Sequence, residues 1–141
     1  MMKRVFLDTN VVLDFILKRQ EFADDAAIIF DLSERKELKI EVSSLSMNNI
    51  NYILSKLQSK NVARQIIVKL LSLVDVTDVT KSTIKKAAMS DFIDFEDAIQ
   101  NFAAEEAGIR YIITRNLKDF TKSSLIVQSP QEFLSGFTLD S

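Results

Sequence analysis

Residues 5–14 read VFLDTNVVLD, a short apolar run that ends in an aspartate, Asp8. The run is typical of a buried strand, which we place at residues 3–7. A helix is predicted to follow over residues 11–18, with Asn10 as its N-cap, because asparagine is a preferred residue there. Asp8 then stands between a strand end and a helix start. It either caps the helix or takes part in chemistry, and the choice depends on whether other acids meet it.

The composition restricts the chemistry that is available. The chain has 141 residues, 47% of them hydrophobic and 27% charged, which fits one globular domain. It contains neither cysteine nor histidine. Disulfides, thiolate zinc sites, cysteine nucleophiles, serine–histidine triads and histidine metal sites are therefore excluded. Any metal must be held by oxygen atoms, which favours magnesium or manganese.

Charge and hydropathy indicate where such a protein acts. The N-terminal apolar run is too short for a signal peptide, and no run approaches the roughly 18 apolar residues that span a bilayer. We therefore expect a cytoplasmic protein without a membrane partner. The formal net charge of −2 shows no global basic field for nucleic acid, so an RNA partner would need a local basic surface.

Apolar periodicity predicts strands that alternate with helices along the chain. The predicted strands cover residues 3–7, 38–43, 73–79, 109–116 and, as a short fifth, 125–129. The predicted helices cover residues 11–18, 22–36, 45–57, 62–72, 82–89 and 94–107. Gly108 suits the position just past the last of these helices. This alternation predicts an α/β fold with a mostly parallel sheet covered on both faces, and such sheets bind ligands beyond the carboxyl ends of their strands.

Acidic residues lie near the carboxyl ends of the predicted strands in three parts of the sequence. The first is Asp8, the second is DFED at residues 94–97, and the third is TRNLKDF at residues 114–120. Carboxylates gathered in a cleft repel one another, so such a cluster usually binds a cation that can activate water for phosphodiester cleavage.

The acids at residues 94–97 also have structural interpretations. Asp94 and Asp97 are spaced as N-cap and first turn of a helix, and that interpretation is favoured for Asp94. Asp97 borders the apolar stripe and is the better functional candidate. Glu96 is expected to point away from Asp97 and to face solvent. Asp14 either approaches the same end of the sheet or faces solvent.

Four segments together resemble the PIN domain, in particular the small stand-alone bacterial PIN proteins that include toxins of VapBC-type modules. They are VFLDTNVVLDFIL (5–17), VSSLSMNNINYIL (42–54), DFEDAIQNFAAEEAGIRYIITRNLKDF (94–120) and SPQEFL (129–134). The resemblance implies a PIN-like, Rossmann-like three-layer α/β/α sandwich with four to five strands. It covers residues 1–134 as a single domain and leaves residues 135–141 as a short tail. It also implies a ribonuclease that uses Mg²⁺ or Mn²⁺.

The resemblance assigns roles residue by residue. The first family acid falls on Asp8 and the third on Asp97, while Asn116 and Asp119 follow the fourth strand. The second family acid, a glutamate on the third helix, aligns with Asn49, so the site has one negative charge fewer than the family pattern. The implied catalytic residues are Asp8, Asp97 and Asp119. The implied metal ligands are the same three residues together with Asn49 and Asn116. The implied supporting residues are Thr9, Asn10, Asp94 and Thr114, and the implied RNA-binding residues are Arg115 and Lys118.

Two functions are compatible with the sequence. The first is a ribonuclease with a weakened acidic site. For this function the resemblance implies a toxin that has an antitoxin protein as partner and forms a homodimer. The second is a PIN-fold protein that binds RNA or a protein without cleavage. A dehalogenase-type phosphatase is disfavoured because Asn10 stands where that chemistry needs a second aspartate, and no phosphate-cradling GxxxxGK loop is present.

Overall fold

The computed structural model describes residues 2–137, and Met1 and residues 138–141 lie outside the described part. The strands are β1 (Lys3–Leu7), β2 (Leu38–Ser43), β3 (Asp75–Thr77), β4 (Tyr111–Ile113) and β5 (Ile126–Gln128). The helices are α1 (Thr9–Leu17), α2 (Ala23–Glu34), α3 (Ser44–Leu57), α4 (Lys60–Leu71), α5 (Lys81–Ala88), α6 (Phe95–Glu106) and α7 (Pro130–Gly136). A short 3-10 helix, Leu117–Phe120, joins β4 to β5.

The five strands form one parallel sheet in the order β3-β2-β1-β4-β5. The first strand is central, with β2 on one side and β4 on the other. The chain leaves β1 to build one half of the sheet and later returns to build the other half. A crevice therefore opens beyond the carboxyl ends of β1 and β4, where this reversal of strand order occurs.

The sheet is buried on both faces. Val5 and Leu7 of β1 pack into one apolar cluster with residues of α1, α2, α3 and α4, whereas Phe6 packs into another with Ala103 and Ala104 of α6. This alternation follows from the two-residue period of a strand, and it places helices on both faces. The expected PIN-like, three-layer α/β/α sandwich with a parallel sheet of four to five strands is confirmed.

Three expected strands are shorter than predicted, although the fifth, Ile126–Gln128, lacks only one residue at each end of the predicted stretch 125–129. The stretch 109–116 contributes only Tyr111–Ile113 to the sheet, because the N–H of Ile109 still donates to the carbonyl of Ala104 and so belongs to the end of α6. The edge strand β3 pairs only with β2, over Asp75–Thr77, which limits it to that part of the predicted stretch 73–79.

The predicted N-cap of the first helix was wrong. α1 begins at Thr9, and its cap is Asp8 rather than Asn10. The last helix includes residues 135 and 136, so the expected boundary at 134 falls within it, and residues 138–141 of the expected tail lie outside the described part. The division into a domain of residues 1–134 and a tail stays a prediction.

Between residues 2 and 137, no helix combines the length and the apolar character that crossing a membrane requires.

The end of α6 is joined to the sheet by Arg4 of β1. Its guanidinium donates to Glu41 of β2 at 2.5 and 3.0 Å and to the carbonyl of Ala107 at 2.9 Å. Gly108 follows Ala107 with a φ of 76°, and a Cβ added there would meet the Arg4 side chain at 3.7 Å, an ordinary contact distance. The glycine is therefore needed for its backbone conformation rather than for space.

We predict that Gly108→Ala lowers the free energy of unfolding by about 1–2 kcal/mol, the cost of a left-handed backbone for a residue with a Cβ. Gly136→Ala is the matched control, because Gly136 lies in α7 without a positive φ and a Cβ there would meet nothing within 4 Å. Urea denaturation of both variants measures the difference. Equal stabilities of the two variants would contradict the assignment of strain to Gly108.

Candidate active site

An open cleft of about 410 Å³ lies at the carboxyl ends of β1 and β4. Its lining comes from the start of α1, from α3, from the start of α6 and from the segment after β4. The lining residues are Asp8, Thr9, Asn10, Asn49, Tyr52, Ile53, Asp94, Glu96, Asp97, Asn116 and Asp119. Eight of the sequence-predicted site residues thus line one cleft: Asp8, Thr9, Asn10, Asn49, Asp94, Asp97, Asn116 and Asp119.

Asp8 is held by both of its neighbouring elements. Its N–H donates to the carbonyl of Ile113 at 3.0 Å, which continues the β1–β4 ladder by one residue. Its Oδ1 accepts from the N–H of Thr9 at 2.8 Å, and its Oδ2 accepts from Oγ1 of Thr114 at 2.9 Å. The residue is only 6% exposed, and this burial raises the pKa of its carboxyl against the opposing effect of the two hydrogen bonds. Asp8 therefore caps α1 and also lines the cleft, so the structural role and the functional role that the sequence left open are compatible.

A buried polar cluster lies behind Asp8. The side-chain amide of Gln100, only 1% exposed, donates to Ser46 at 2.7 Å and to Thr9 at 3.3 Å, while its oxygen accepts from Ser43 at 2.6 Å. The hydroxyls of Thr9 and Ser46 are themselves 2.7 Å apart. This amide joins α6 to the end of β2 and to the first turns of α1 and α3.

Gln100 was missed by the sequence analysis. The available signal is that it lies three residues after Asp97, on the same helix face, within an otherwise apolar stripe.

Asp97 has a strongly raised pKa. Partial burial, reinforced in order by the charges of Asp94, Asp8, Asp119 and Glu96, raises its pKa to about 7. Asp94 is the N-cap of α6 and accepts from the N–H of Asp97 at 2.9 Å, as its spacing predicted. Burial and the neighbouring negative charges together therefore favour the protonated form of Asp97 up to near neutral pH.

Glu96 is exposed, as expected, but the expectation that it points away from Asp97 and the site was wrong. Glu96 lines the cleft, and its Oε1 accepts from Nδ2 of Asn49 at 2.7 Å. Burial, with the charges of Asp94 and Asp8, raises its pKa, and the bond from Asn49 opposes that rise. The position that lacks the family glutamate is therefore hydrogen-bonded to a glutamate of the neighbouring helix.

The segment after β4 brings Asn116 and Asp119 to the cleft. The N–H of Asn116 donates to Oγ1 of Thr114 at 3.0 Å, and the N–H of Asp119 donates to the carbonyl of Asn116 at 3.0 Å. Thr114 is buried and acts through its bond to Asp8. Lys118 does not line this cleft but lies in a smaller neighbouring pocket with Asp94 and Asp119.

Arg115 is held by groups of the fold. Its guanidinium donates to Asp14 at 2.7 and 3.1 Å and lies 3.9 Å from the ring centroid of Phe22. Asp14 is 1% exposed and also accepts from Arg19 at 3.4 Å, so it faces neither solvent nor the cleft. A role of Arg115 in binding RNA stays a prediction.

The side chains of the cleft supply oxygen atoms, which are the donors that a divalent ion such as Mg²⁺ requires. In the part of the chain that the structure describes, no three acidic side chains are placed to enclose a metal ion by themselves. Mg²⁺, however, is usually held by one or two carboxylates and keeps several waters. The cleft offers only carboxylates and neutral side chains, without a lysine or arginine in its lining, and burial together with the neighbouring carboxylates raises the pKa of Asp97. These residues fit a hydrated Mg²⁺ or Mn²⁺.

Comparisons with known proteins agree with this architecture. A family model of the PIN domain matches residues 4–118. The protein named ribonuclease VapC1 from Aquifex aeolicus is 24% identical over 136 residues, which cover 93% of this chain and 93% of that protein.

Solved structures share the fold at low identity. The VapBC2 complex from Rickettsia felis, bound to a DNA fragment from its promoter, aligns with a TM-score of 0.68 at 18% identity, covering 89% of this chain and 98% of that one. A toxin–antitoxin complex from Klebsiella pneumoniae aligns with a TM-score of 0.67 at 19% identity, covering 89% of this chain and 97% of that one.

We predict that Asp97→Asn stabilises the metal-free protein at neutral pH. The folded-state pKa of Asp97 is raised from 3.8 to about 7, so between these pH values the folded state binds more protons than the unfolded state. Its contribution to stability therefore falls as the pH rises through this window, and the variant escapes that loss. Thermal unfolding in a chelator should show a gain that is small at pH 4 and largest above pH 7. A gain independent of pH would contradict the crowding of charge at Asp97.

Proposed function

This chain belongs to the PIN-domain family, and on that premise we propose that it is an endoribonuclease that depends on Mg²⁺ or Mn²⁺. The observation that carries the proposal is the acidic cleft, whose lining gathers Asp8, Asp94, Glu96, Asp97 and Asp119 at the carboxyl ends of β1 and β4. Burial, reinforced by the other four carboxylates, raises the pKa of Asp97 there to about 7. A carboxylate cluster of this density is a cation site by charge, and phosphodiester cleavage is the reaction that such a site supports.

Asp8 and Asp97 would hold the ion, with Asp119 assisting through a coordinated water and Asn116 as a neutral oxygen donor. When bound, the ion would lower the pKa of a coordinated water and neutralise charge that develops on the phosphate. Thr114 and the N–H of Thr9 each hold one oxygen of Asp8, which fixes the direction of its remaining lone pairs. Asp94 keeps the first turn of α6 in place, and with it Asp97.

We assign the charge missing at Asn49 to Glu96. Asn49 donates to Glu96 across the cleft, so the amide positions a carboxylate instead of supplying one. Asn49 thereby becomes a positioning residue rather than the metal ligand that the family alignment implied. The alternative function, binding without cleavage, draws its support from Asn49 alone, and the presence of Glu96 weakens that support.

The partners follow from the relatives. The Rickettsia felis relative forms a VapBC complex, and the Klebsiella pneumoniae relative forms a toxin–antitoxin complex. We extend this to the present chain as a toxin that binds an antitoxin protein and cleaves RNA. Homodimerisation stays a prediction from the family resemblance.

The proposed activity is tested with Asp8→Asn. Since losing even an outer partner of a metal ligand costs roughly 10- to 100-fold, we expect cleavage of single-stranded RNA in Mg²⁺ or Mn²⁺ to fall at least about 100-fold. A chelator should abolish cleavage by the parent. Asp24→Asn, an exposed change on α2 outside the cleft, is the control and should cleave like the parent. Cleavage that resists the chelator would contradict the metal mechanism.

The role of Glu96 is tested by exchanging its charge with Asn49. Glu96→Gln should weaken Mn²⁺ binding about tenfold, because one charge contact at an effective dielectric near 20 is worth a few kcal/mol before desolvation. Adding Asn49→Glu to that variant should restore affinity, since the charge returns on the facing helix. Calorimetric titration of Mn²⁺ measures both, with Glu34→Gln at the exposed end of α2 as control. If Glu96→Gln binds Mn²⁺ like the parent, Glu96 is not part of the site.

A further inference from the structure

A second groove, of about 570 Å³, lies along α3 and the start of α4. Its lining includes the amides of Asn48 and Asn51, the ring of Tyr52, and the cationic side chains of Lys56, Lys60 and Arg64. Asn48, Tyr52 and Lys56 are spaced four residues apart on α3, and Lys60 and Arg64 are spaced likewise on α4. Each set therefore forms one face of its helix.

The groove is cationic although the chain as a whole carries a net charge of −2. No acidic residue lines it. Lys56, Lys60 and Arg64 make no ion pair with a carboxylate within residues 2–137. Three unpaired cations in one groove therefore remain free for an anionic ligand, and polar amides beside them can donate to phosphate or base oxygens.

Tyr52 connects this groove with the acidic cleft. Tyr52 and Asn49 line both cavities, so the groove adjoins the cleft. The side chain of Tyr52 is 60% exposed, and Nζ of Lys56 lies 5.2 Å from its ring centroid. An exposed ring next to a lysine offers a stacking surface and a phosphate contact side by side, the combination that binds single-stranded nucleic acid.

We propose that this groove binds single-stranded RNA on one side of the bond that the acidic cleft cuts. A base stacks on Tyr52, and the phosphates beyond it pair with Lys56, Lys60 and Arg64. At a rise of about 1.5 Å per residue, Asn49 and Lys56 are separated by about 10 Å along α3. Neighbouring bases of a stacked strand lie about 3.4 Å apart, so this path has room for more than one nucleotide.

The groove selects single strands. In a duplex the bases are paired and stacked on one another, so none is available to the ring of Tyr52. The assignment adds a binding track to the acidic cleft, and it rests on the proposed ribonuclease function.

The test measures binding separately from cleavage. Fluorescence anisotropy of a labelled short oligouridylate is followed in the Asp8→Asn background, where cleavage is removed. Adding Tyr52→Ala should weaken binding about tenfold, in line with the loss of one base-stacking contact, whereas Tyr52→Phe should retain affinity. Replacing Lys56, Lys60 and Arg64 together by Gln should weaken binding more and lower the dependence of affinity on salt.

The control replaces three exposed lysines outside both cavities, Lys69, Lys81 and Lys85, by Gln, which removes the same charge. Three results would overturn the assignment. In the first, the control weakens binding as much as the groove variant does, and in the second, a matched double-stranded RNA binds as well as oligouridylate. In the third, the groove variants bind RNA like the Asp8→Asn background. The last result, with cleavage by the parent intact, would leave the groove to a protein partner and keep the proposed ribonuclease. If RNA binding depends on the groove but the parent protein does not cleave RNA, the groove is an RNA-binding site and the proposed ribonuclease activity is refuted.

Discussion

The arrangement of the site depends on one buried side chain, the amide of Gln100. A buried amide must find partners for its N–H and C=O groups, because an unpaired polar group costs on the order of 1–3 kcal/mol. Gln100 finds them in Ser43, Ser46 and Thr9, which lie at the end of β2 and in the first turns of α3 and α1. The helix that carries Asp97 is thereby held against the elements that carry Asp8 and Asn49.

The carboxylates that line the cleft lower the stability of the folded protein when they are ionised, although the proposed function requires them there. Burial raises the pKa of Asp8, and burial with neighbouring acids raises that of Asp97, so both ionised carboxylates disfavour the folded state. The hydrogen bonds from Thr114 and Thr9 offset part of this cost at Asp8. On the proposed function, a bound metal cation offsets the remaining cost of the ionised carboxylates. The cationic side chains of the adjacent groove do not pair with these acids and would bind the phosphates of the substrate.

Much of the fold was predictable because its signals are local. Apolar runs of strand length, helical periodicity and Gly108 after α6 require only neighbouring residues to be recognised. The cap of α1 was not predictable in this way, since aspartate and asparagine have nearly equal preferences for that position. The sheet decides between them: the N–H of Asp8 completes the ladder with Ile113, and the chain turns into the helix directly afterwards.

The sequence by itself determined the α/β class and the absence of histidine and cysteine chemistry, and its resemblance to the family indicated Asp8 and Asp97 as candidate site residues. Only the tertiary structure decided the place of Glu96 and Gln100, and the use of Arg115 by the fold. Glu96 meets Asn49 from 47 positions away, and Arg115 meets Asp14 from 101 positions away. Such contacts leave no local periodicity, because their partners are set by how helices pack on the sheet rather than by neighbouring residues.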